Sequence, residues 1–488
     1  MSRISRDRLS RAKLARAHAV ASLDNASLGE ERRLINASHA IRARVCYIAS
    51  TMKRQISARL TRLMNLDTYP LIQLAARVGT PFFLLDAEIL RGNLRRLNAL
   101  AAGPQVVVRY AMKANSVRQV LEQVCKAGLW IDAVSGNEVL RAMRAGFPGG
   151  TEPPRIMLTA DVFRDNAREV LQQHHILPNL GSPGMIRQLA AAGYRGPVAV
   201  RANPGFGHGH VEACDTGGPS SKHGVWHEDL EDLRRAAAGA GLTIVALHAH
   251  IGTGPQPREF DQNMRKLVDF FEAILPEFPD ANAVNFGGGI PHPYRPDEPA
   301  YDLSWYRPVI EEAVARFARA VGRPIRVEIE PGRYAVAGTA ALVCRVHDIK
   351  TTRANPKGPG HRFVMVDAGF CDLVRPAMYG SYHHISVVGA GASRPPEPLV
   401  VAGPLCESGD VFTRDANEML TPRLLPRPEP CDLLVLHDAG AYGSAMSSNY
   451  VSLGRVPQVL WDAGRATLVT RRESVDDVVR AECEEPLD

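Results

Sequence analysis

Residues 106–116 read VVVRYAMKANS and carry a strand directly into a lysine. Three successive valines are typical of a buried strand. Lys113 follows that strand, with Met112 and Ala114 on either side. Two interpretations are open for it: a solvated loop lysine, or an amine whose desolvation allows it to form a Schiff base with a carbonyl compound. The rest of the chain has to decide between them.

Short apolar segments alternate with amphipathic helical segments on both sides of this lysine. Polar or glycine-rich residues follow almost every apolar segment, as they do at the strand ends of a barrel enzyme. The pattern predicts an α/β fold of the (β/α)8 TIM-barrel type, with a doubly wound open sheet as the alternative. The eight predicted strands are Val106–Ala111, Ile131–Val134, Ile156–Thr159, Leu177–Leu180, Val198–Arg201, Ile244–His248, Ala283–Phe286 and Ile325–Ile329.

After Tyr334 the pattern changes to short β segments separated by Pro and Gly turns. It predicts a C-terminal β domain, a β-sandwich or small β-barrel, and the segment 66–88 is expected to pair with it. The expected domains are therefore an N-terminal extension at 1–65, that pairing segment, the barrel at 89–334 and the β domain at 335–488. The arginine-rich extension is expected to be a disordered arm or the result of a start codon assigned too far upstream, with a transit peptide as the alternative.

Composition argues against several classes of protein. The formal net charge is +6, and much of the excess lies in the extension, so the body of the chain gives little support for nucleic-acid binding. The sequence contains no run of 18 apolar residues, so no membrane-spanning helix is predicted. The eight cysteines are scattered without a CxxC pair, which argues against a zinc site and a disulfide framework. A cytoplasmic protein without a metal is expected.

Two groups after the predicted strands are suited to a phosphorylated ring. Gly287, Gly288 and Gly289 allow backbone N–H groups to approach a phosphate, although a tight turn is the alternative. Glu330 leaves the last strand ahead of Pro331, Gly332 and Arg333, and a carboxylate there needs a cationic partner such as a protonated pyridine nitrogen.

A lysine, a phosphate-binding loop and a carboxylate for a ring nitrogen together specify pyridoxal 5'-phosphate. This combination favours the Schiff-base interpretation of Lys113. His250 could stack on the ring, an ordinary core histidine being the alternative.

The C-terminal part adds four candidate residues. Cys406 could act as an acid that protonates a carbanion, unless it is a buried structural thiol. Tyr442 could reach a phosphate oxygen, and Arg375 with Tyr379 is suited to binding a carboxylate, although the last pair alone could belong to a surface loop.

The chain resembles the pyridoxal-phosphate decarboxylases of the alanine-racemase-like fold, and among them the diaminopimelate decarboxylases. The resemblance covers about residue 68 to the C-terminus and departs from the usual HIGS only by Thr253, which keeps the hydroxyl. The motifs that carry it are YAMKAN, NPGFGHGH, TGGPSSKHG, HAHIG, GGG, EPGR, DAGFCDLVRPAMYGSYHHI, GPLCESGDVF and GAYGSAMSSNY.

The resemblance implies a homodimer with active sites shared between subunits, acting on a small amino-acid substrate. It implies that Lys113 is the Schiff-base lysine, that His250 stacks on the ring, and that the partner subunit's Cys406 is the proton donor. The implied cofactor contacts are Gly288, the backbone of Glu330–Arg333 and Tyr442. The implied substrate-binding residues are Arg333, Arg375, Tyr379, Glu407 and Tyr442.

The implied reaction is decarboxylation of meso-2,6-diaminopimelate to L-lysine, the last step of lysine biosynthesis. Other readings stay open at this point: a decarboxylase of ornithine, arginine or a secondary metabolite, or a pyridoxal-phosphate-binding homologue without turnover. A racemase is disfavoured because it has no need of the Cys406 motif.

Overall fold

A computed structural model of the 488-residue chain describes residues 63–485, except 102, 208, 210–214, 255–256, 296–297, 299 and 390–393. The predicted N-terminal extension therefore lies, up to residue 62, outside the described residues. The strands are β1 (Phe82–Asp86), β2 (Val106–Ala111), β3 (Trp130–Ala133), β4 (Ile156–Ala160), β5 (Leu177–Leu180), β6 (Gly196–Asn203), β7 (Val225–Trp226), β8 (Leu242–His248), β9 (Ala283–Asn285), β10 (Arg326–Ile329), β11 (Ala340–Thr351), β12 (Arg362–Val366), β13 (Ile385–Val388), β14 (Pro396–Ala402), β15 (Arg423–Pro426), β16 (Leu433–Leu436), β17 (Gln458–Asp462) and β18 (Arg465–Thr470). The α-helices are α1 (Leu71–Val78), α2 (Ala87–Asn98), α3 (Arg118–Lys126), α4 (Gly136–Arg144), α5 (Ala167–Gln173), α6 (Pro183–Ala191), α7 (Leu230–Gly239), α8 (Pro257–Ile274), α9 (Leu303–Val321), α10 (Arg333–Val336), α11 (Arg375–Tyr379) and α12 (Val475–Val479).

Eight parallel strands close into a ring. Its order is β2, β3, β4, β5, β6, β8, β9, β10 and back to β2, with β7 attached to β6 outside the ring. The pairing of β5 with β6 and of β10 with β2 leaves the ring without a free edge, which excludes the open doubly wound sheet. The predicted (β/α)8 barrel is confirmed, and each of the eight predicted strands corresponds to one strand of the barrel.

Short polar side chains start the barrel helices where the sequence places them. Ser135 accepts a hydrogen bond from the amide of Glu138 at the start of α4, while the Glu138 carboxylate accepts from Val134 N at 2.7 Å. Ser182 caps α6 in the same way, with Pro183 in its first turn. These caps satisfy backbone donors that a helix leaves unpaired, so each helix begins directly after its strand ends.

A buried ion pair ties the barrel together away from the strand ends. The Arg109 guanidinium, on β2, binds the Glu328 carboxylate, on β10, with Nε and Oε2 2.6 Å apart. Burial alone would raise the pKa of Glu328, but Arg109 and Arg326 lower it to about 2. The carboxylate therefore stays ionised inside the barrel.

The remaining strands form one nine-stranded mixed sheet that branches at β11. That strand pairs antiparallel with β1, β12 and β16, and β1 also pairs in parallel with β17. The β segments predicted after Tyr334 are thus assembled with a strand from before the barrel. Within the described part of the chain, no helix is long and apolar enough to cross a bilayer.

Candidate active site

Lys113 lies in a single 3-10 turn, Met112–Ala114, that follows β2. The turn is fixed from both sides: Tyr110 donates its hydroxyl to Asn115 O at 2.8 Å, and the amide of Tyr442 donates to Ala114 O at 2.8 Å. Met112 and Ala114 are buried, and Lys113 alone points its side chain into an open cleft. Its position is therefore set by the backbone, while its amine is accessible.

That accessibility corrects one premise of the sequence interpretation. Desolvation was expected to activate the Lys113 amine, but the residue is exposed in the single chain. The strand before it is buried, whereas the turn that carries it lies at the barrel mouth, where the loops leave a cleft. An exposed amine remains well placed to meet a carbonyl compound.

The glycine loop after β9 lies across the same cleft. Gly287 has φ +65°, accepts from Glu330 N at 2.7 Å and donates to Asn285 Oδ1 at 2.8 Å. A Cβ on Gly288 would be 2.6 Å from the carbonyl oxygen of Glu330, so only glycine fits there. Gly287 shapes the turn, and Gly288 and Gly289 face the cleft.

The amides of Gly288 and Gly289 are available to a ligand. No described residue accepts a hydrogen bond from either N–H group. Backbone donors that converge on a cleft without a protein acceptor are suited to an anion such as phosphate. Pro331, Gly332 and Arg333 line the same cleft from the loop after β10.

Glu330 is held rigidly at the base of the cleft. Its carboxylate lies 3.2 Å from His248 Nε2 and accepts from Asn285 Nδ2 at 2.7 Å. Burial alone would raise the pKa of Glu330, but His248 and the positive charges of Arg109 and Lys113 bring it below its ordinary value. The side chain is therefore an ionised carboxylate with a fixed direction.

His250 lies beside the glycine loop as a neutral ring. Burial, with the positive charges of Lys113 and Arg201, holds the pKa of His250 well below its ordinary value. Its Nδ1 atom is buried and has no hydrogen-bond partner, and its Cε1 would be 3.8 Å from a Cβ on Gly288. An uncharged ring at this point can stack on a flat ligand.

Asp132 also lines the cleft, and the sequence interpretation missed it. It lies on β3 with 2% of its surface exposed, and its Oδ1 atom has no hydrogen-bond partner. Burial and the nearby charge of Glu330 raise its pKa well above the ordinary value. The available signal was an acidic residue inside the apolar segment WIDAV.

Arg375, Tyr379 and Tyr442 lie next to the cleft, although they belong to the C-terminal part of the chain. They share one cavity of about 200 Å³ with Lys113 and Arg333. Arg375 is 2% exposed and donates to Ser381 Oγ at 3.2 Å. Tyr442 has φ +59°, a strained conformation of the kind that recurs at functional sites.

Cys406 and Glu407 are not brought to this cavity within one chain. Both are exposed on the loop that follows β14, and neither lines the cleft or the cavity beside it. The exposure of Cys406 excludes its interpretation as a buried structural thiol. The other predicted site residues meet at the carboxyl ends of the barrel strands, and these two stand apart on the surface.

Comparisons with known proteins agree with this geometry. Residues 87–337 match the family model of the pyridoxal-binding domain of pyridoxal-dependent decarboxylases. Diaminopimelate decarboxylase from Escherichia coli K12 is 40% identical over 426 residues, which cover 86% of this chain and 97% of that protein. This chain belongs to the diaminopimelate decarboxylase family.

Solved structures of the family have the same fold. A crystal structure of a diaminopimelate decarboxylase matches with a TM-score of 0.77 at 40% identity, over 84% of this chain and 95% of that one. The Helicobacter pylori diaminopimelate decarboxylase, crystallised with L-lysine, matches with a TM-score of 0.72 at 26% identity, over 84% and 98%.

The cleft fits the pyridoxal phosphate that the family uses. Its floor offers two unused backbone amides, a buried ionised carboxylate and a neutral imidazole with an unpartnered nitrogen, beside an accessible lysine. A phosphate, a protonated ring nitrogen, a ring face and an aldehyde are the four features of pyridoxal phosphate that these groups match.

Proposed function

We propose that this protein decarboxylates meso-2,6-diaminopimelate to L-lysine and carbon dioxide, the last step of lysine biosynthesis by the diaminopimelate pathway. The observation that carries the proposal is that one cavity contains Lys113 together with two arginines, Arg333 and Arg375. The lysine is suited to the cofactor and the arginines to substrate carboxylates. The identity to diaminopimelate decarboxylases over most of the chain supports the same reaction.

We assign a residue of the cleft to each part of the cofactor. Lys113 would hold the aldehyde, the amides of Gly288 and Gly289 the phosphate, and Glu330 the protonated ring nitrogen. When bound, pyridoxal phosphate supplies an electron sink for the electrons released as the carboxylate leaves the substrate Cα. His250 would cover one face of the ring.

The backbone of Pro331 and Gly332 and the hydroxyl of Tyr442 complete the proposed set of cofactor contacts, whereas the backbone groups of Gly287 are already bonded to Asn285 and Glu330. Gly287 gives the loop its turn, and Pro331 and Gly332 line the cleft beside Glu330. Tyr442 lines the cleft as well and is tied to the Lys113 turn through its backbone.

Substrate specificity would come from the far end of the cavity. Arg375 and Arg333 carry permanent charges and would bind the second carboxylate of diaminopimelate, with Tyr379 and Tyr442 donating hydroxyl hydrogen bonds. Ornithine and arginine have no second carboxylate. Such a substrate would give the two guanidinium charges no carboxylate to bind, so a strong preference for diaminopimelate is expected.

We further propose a homodimer in which the partner subunit's Cys406 and Glu407 complete the site. The exposure of both residues in the single chain supports this arrangement. The Cys406 thiol would donate its proton to the substrate Cα after carbon dioxide has left, and Glu407 would bind the second amino group. A cytoplasmic location is also proposed, supported by cysteines that are scattered singly along the sequence.

Carbon dioxide release from purified protein tests the proposed function. The protein is supplied with pyridoxal phosphate and given meso-diaminopimelate, ornithine, arginine or lysine in parallel. Release from meso-diaminopimelate alone, absent in Lys113→Ala, is the expected result. Release of carbon dioxide from a different amino acid would contradict the role of Arg375 in binding a second carboxylate. No release from any of the four amino acids would contradict the proposed function.

A further inference from the structure

One tyrosine that none of the proposed roles uses lies between the two arginines of the substrate cavity. The Arg375 guanidinium carbon is 4.5 Å from the centre of the Tyr294 ring, and that of Arg333 is 5.8 Å from the same centre. Arg333 Nη1 also donates to the Tyr294 hydroxyl at 3.3 Å. Tyr294 thus contacts both guanidinium groups at once.

Two positive charges that share one cavity repel each other, and Tyr294 offsets part of this cost. The face of an aromatic ring attracts a cation, and the attraction grows as the pair is removed from water. The ring is uncharged, so it holds a guanidinium without cancelling the charge that a substrate carboxylate would need.

A second uncharged group acts on Arg375. His383 lies 3.1 Å from Arg375 Nη1 through its Nε2, and its Nδ1 is 2.8 Å from His437 O, which requires the hydrogen to be on Nδ1. His383 therefore accepts from the arginine as a neutral ring. Its own ring centre is 5.5 Å from that of Tyr294, so the two contacts of Arg375 also pack on each other.

We infer that Tyr294 is a positioning residue that holds Arg333 and Arg375 in the geometry that receives the second carboxylate of the substrate. The inference rests on the proposed function, since it assigns that carboxylate to the two arginines. Tyr294 and both arginines line a further cavity, which shares Thr253 and Arg333 with the cleft that contains Lys113.

Inhibition by a pair of acids that differ in one carboxylate tests this inference. Pimelate carries two carboxylates on seven carbons, and hexanoate carries one. In holoenzyme, Tyr294→Leu should raise the inhibition constant of pimelate about tenfold and leave that of hexanoate unchanged. KM for meso-diaminopimelate should rise by a similar factor, with a smaller change in kcat.

Two further variants separate positioning from a general effect on folding. Tyr294→Phe keeps the ring and loses only the hydroxyl, so its pimelate constant should stay within about threefold of wild type. Tyr194→Phe is the matched control, because Tyr194 donates its hydroxyl to Pro197 O near the opposite end of the barrel.

The outcomes that overturn the inference are specific. The inference is overturned if the wild-type enzyme does not bind pimelate more tightly than hexanoate. It is also overturned if the inhibition constant of pimelate is no higher for Tyr294→Leu than for Tyr194→Phe. Equal weakening of both acids would show a general defect and also overturn it. If wild type releases no carbon dioxide from meso-diaminopimelate, the proposed function fails, and calorimetry with pimelate still decides the role of Tyr294.

Discussion

Glu330 shows how a single residue acquires its chemistry from its surroundings. The sequence predicted a carboxylate in need of a cationic partner, and the structure supplies its fixed direction through His248 and Asn285. Neither contact was readable from the sequence, because both come from strands that are distant along the chain. The fixed direction of the Glu330 carboxylate therefore arises only when the barrel closes and brings these strands together.

Replacement of this carboxylate tests its electrostatic role. Glu330→Gln keeps the size and loses the charge, so we expect kcat to fall about 100-fold while pyridoxal phosphate remains bound. Steady-state kinetics and the absorbance of the bound cofactor measure the two effects. Glu312→Gln, which alters a surface ion pair with Arg265, should leave kcat unchanged. A Glu330→Gln enzyme with normal kcat would contradict the role.

His383 gives a residue-scale prediction that depends on pH. Burial and the adjacent Arg375 lower the pKa of His383 to about 3. The unfolded chain protonates this histidine below about pH 6.5, and the folded protein does not, so its contribution to stability falls as the pH drops from 6.5 towards 3.

The wild-type advantage in free energy of unfolding over His383→Gln should therefore shrink by up to about 1.4 kcal/mol per pH unit in that window. Urea unfolding at pH 8, 6.5 and 5 measures it. The same comparison for His347→Gln, an exposed histidine, should show a much weaker trend. An advantage for wild type over His383→Gln that does not change between pH 8 and 5 would refute the prediction.

At the scale of elements, the barrel strands were predictable, and segment 66–88 was expected to pair with the C-terminal β domain, but the individual strands that β1 pairs with were not readable from the sequence. Eight apolar segments each gave a barrel strand, because burial on both faces leaves a continuous apolar signal. Asp132 was missed inside such a signal, since one acidic residue does not disturb the pattern of its strand. The pairing of β1 with β11 and β17 depends on contacts more than 250 residues apart in the sequence.

The ion pair between β2 and β10 should dominate the stability of their junction. Arg109→Met would leave the Glu328 carboxylate buried without its main partner, and we expect a loss of about 3–5 kcal/mol in the free energy of unfolding. Arg118→Met is the control, since its pair with Glu122 lies on the surface and is worth little. Denaturant unfolding compares the two, and equal losses would refute the role of burial.

At the scale of the whole molecule, the proposed site takes residues from two chains. The sequence motifs placed Cys406 and Glu407 in the site through a resemblance, and the single chain leaves both on its surface. A pattern along one chain cannot show which side chains arrive from another. The N-terminal extension to residue 62 remains a prediction outside the described residues.

Mixing two inactive variants tests the proposed sharing of sites between subunits. Lys113→Ala lacks the lysine, and Cys406→Ala lacks the proton donor. If each site takes its lysine from one subunit and its thiol from the other, subunits that exchange freely form hybrids with one intact site, which gives about a quarter of wild-type activity. A mixture no more active than its components, once exchange is verified by mass, would contradict sharing.

The central claim is that this molecule converts meso-diaminopimelate into lysine at the Lys113 cleft. Its most direct test is to measure carbon dioxide and L-lysine in the same reaction with wild-type holoenzyme. The account predicts equal amounts of the two products, and neither from Lys113→Ala. Carbon dioxide without lysine, or lysine formed equally well by Lys113→Ala, would contradict it.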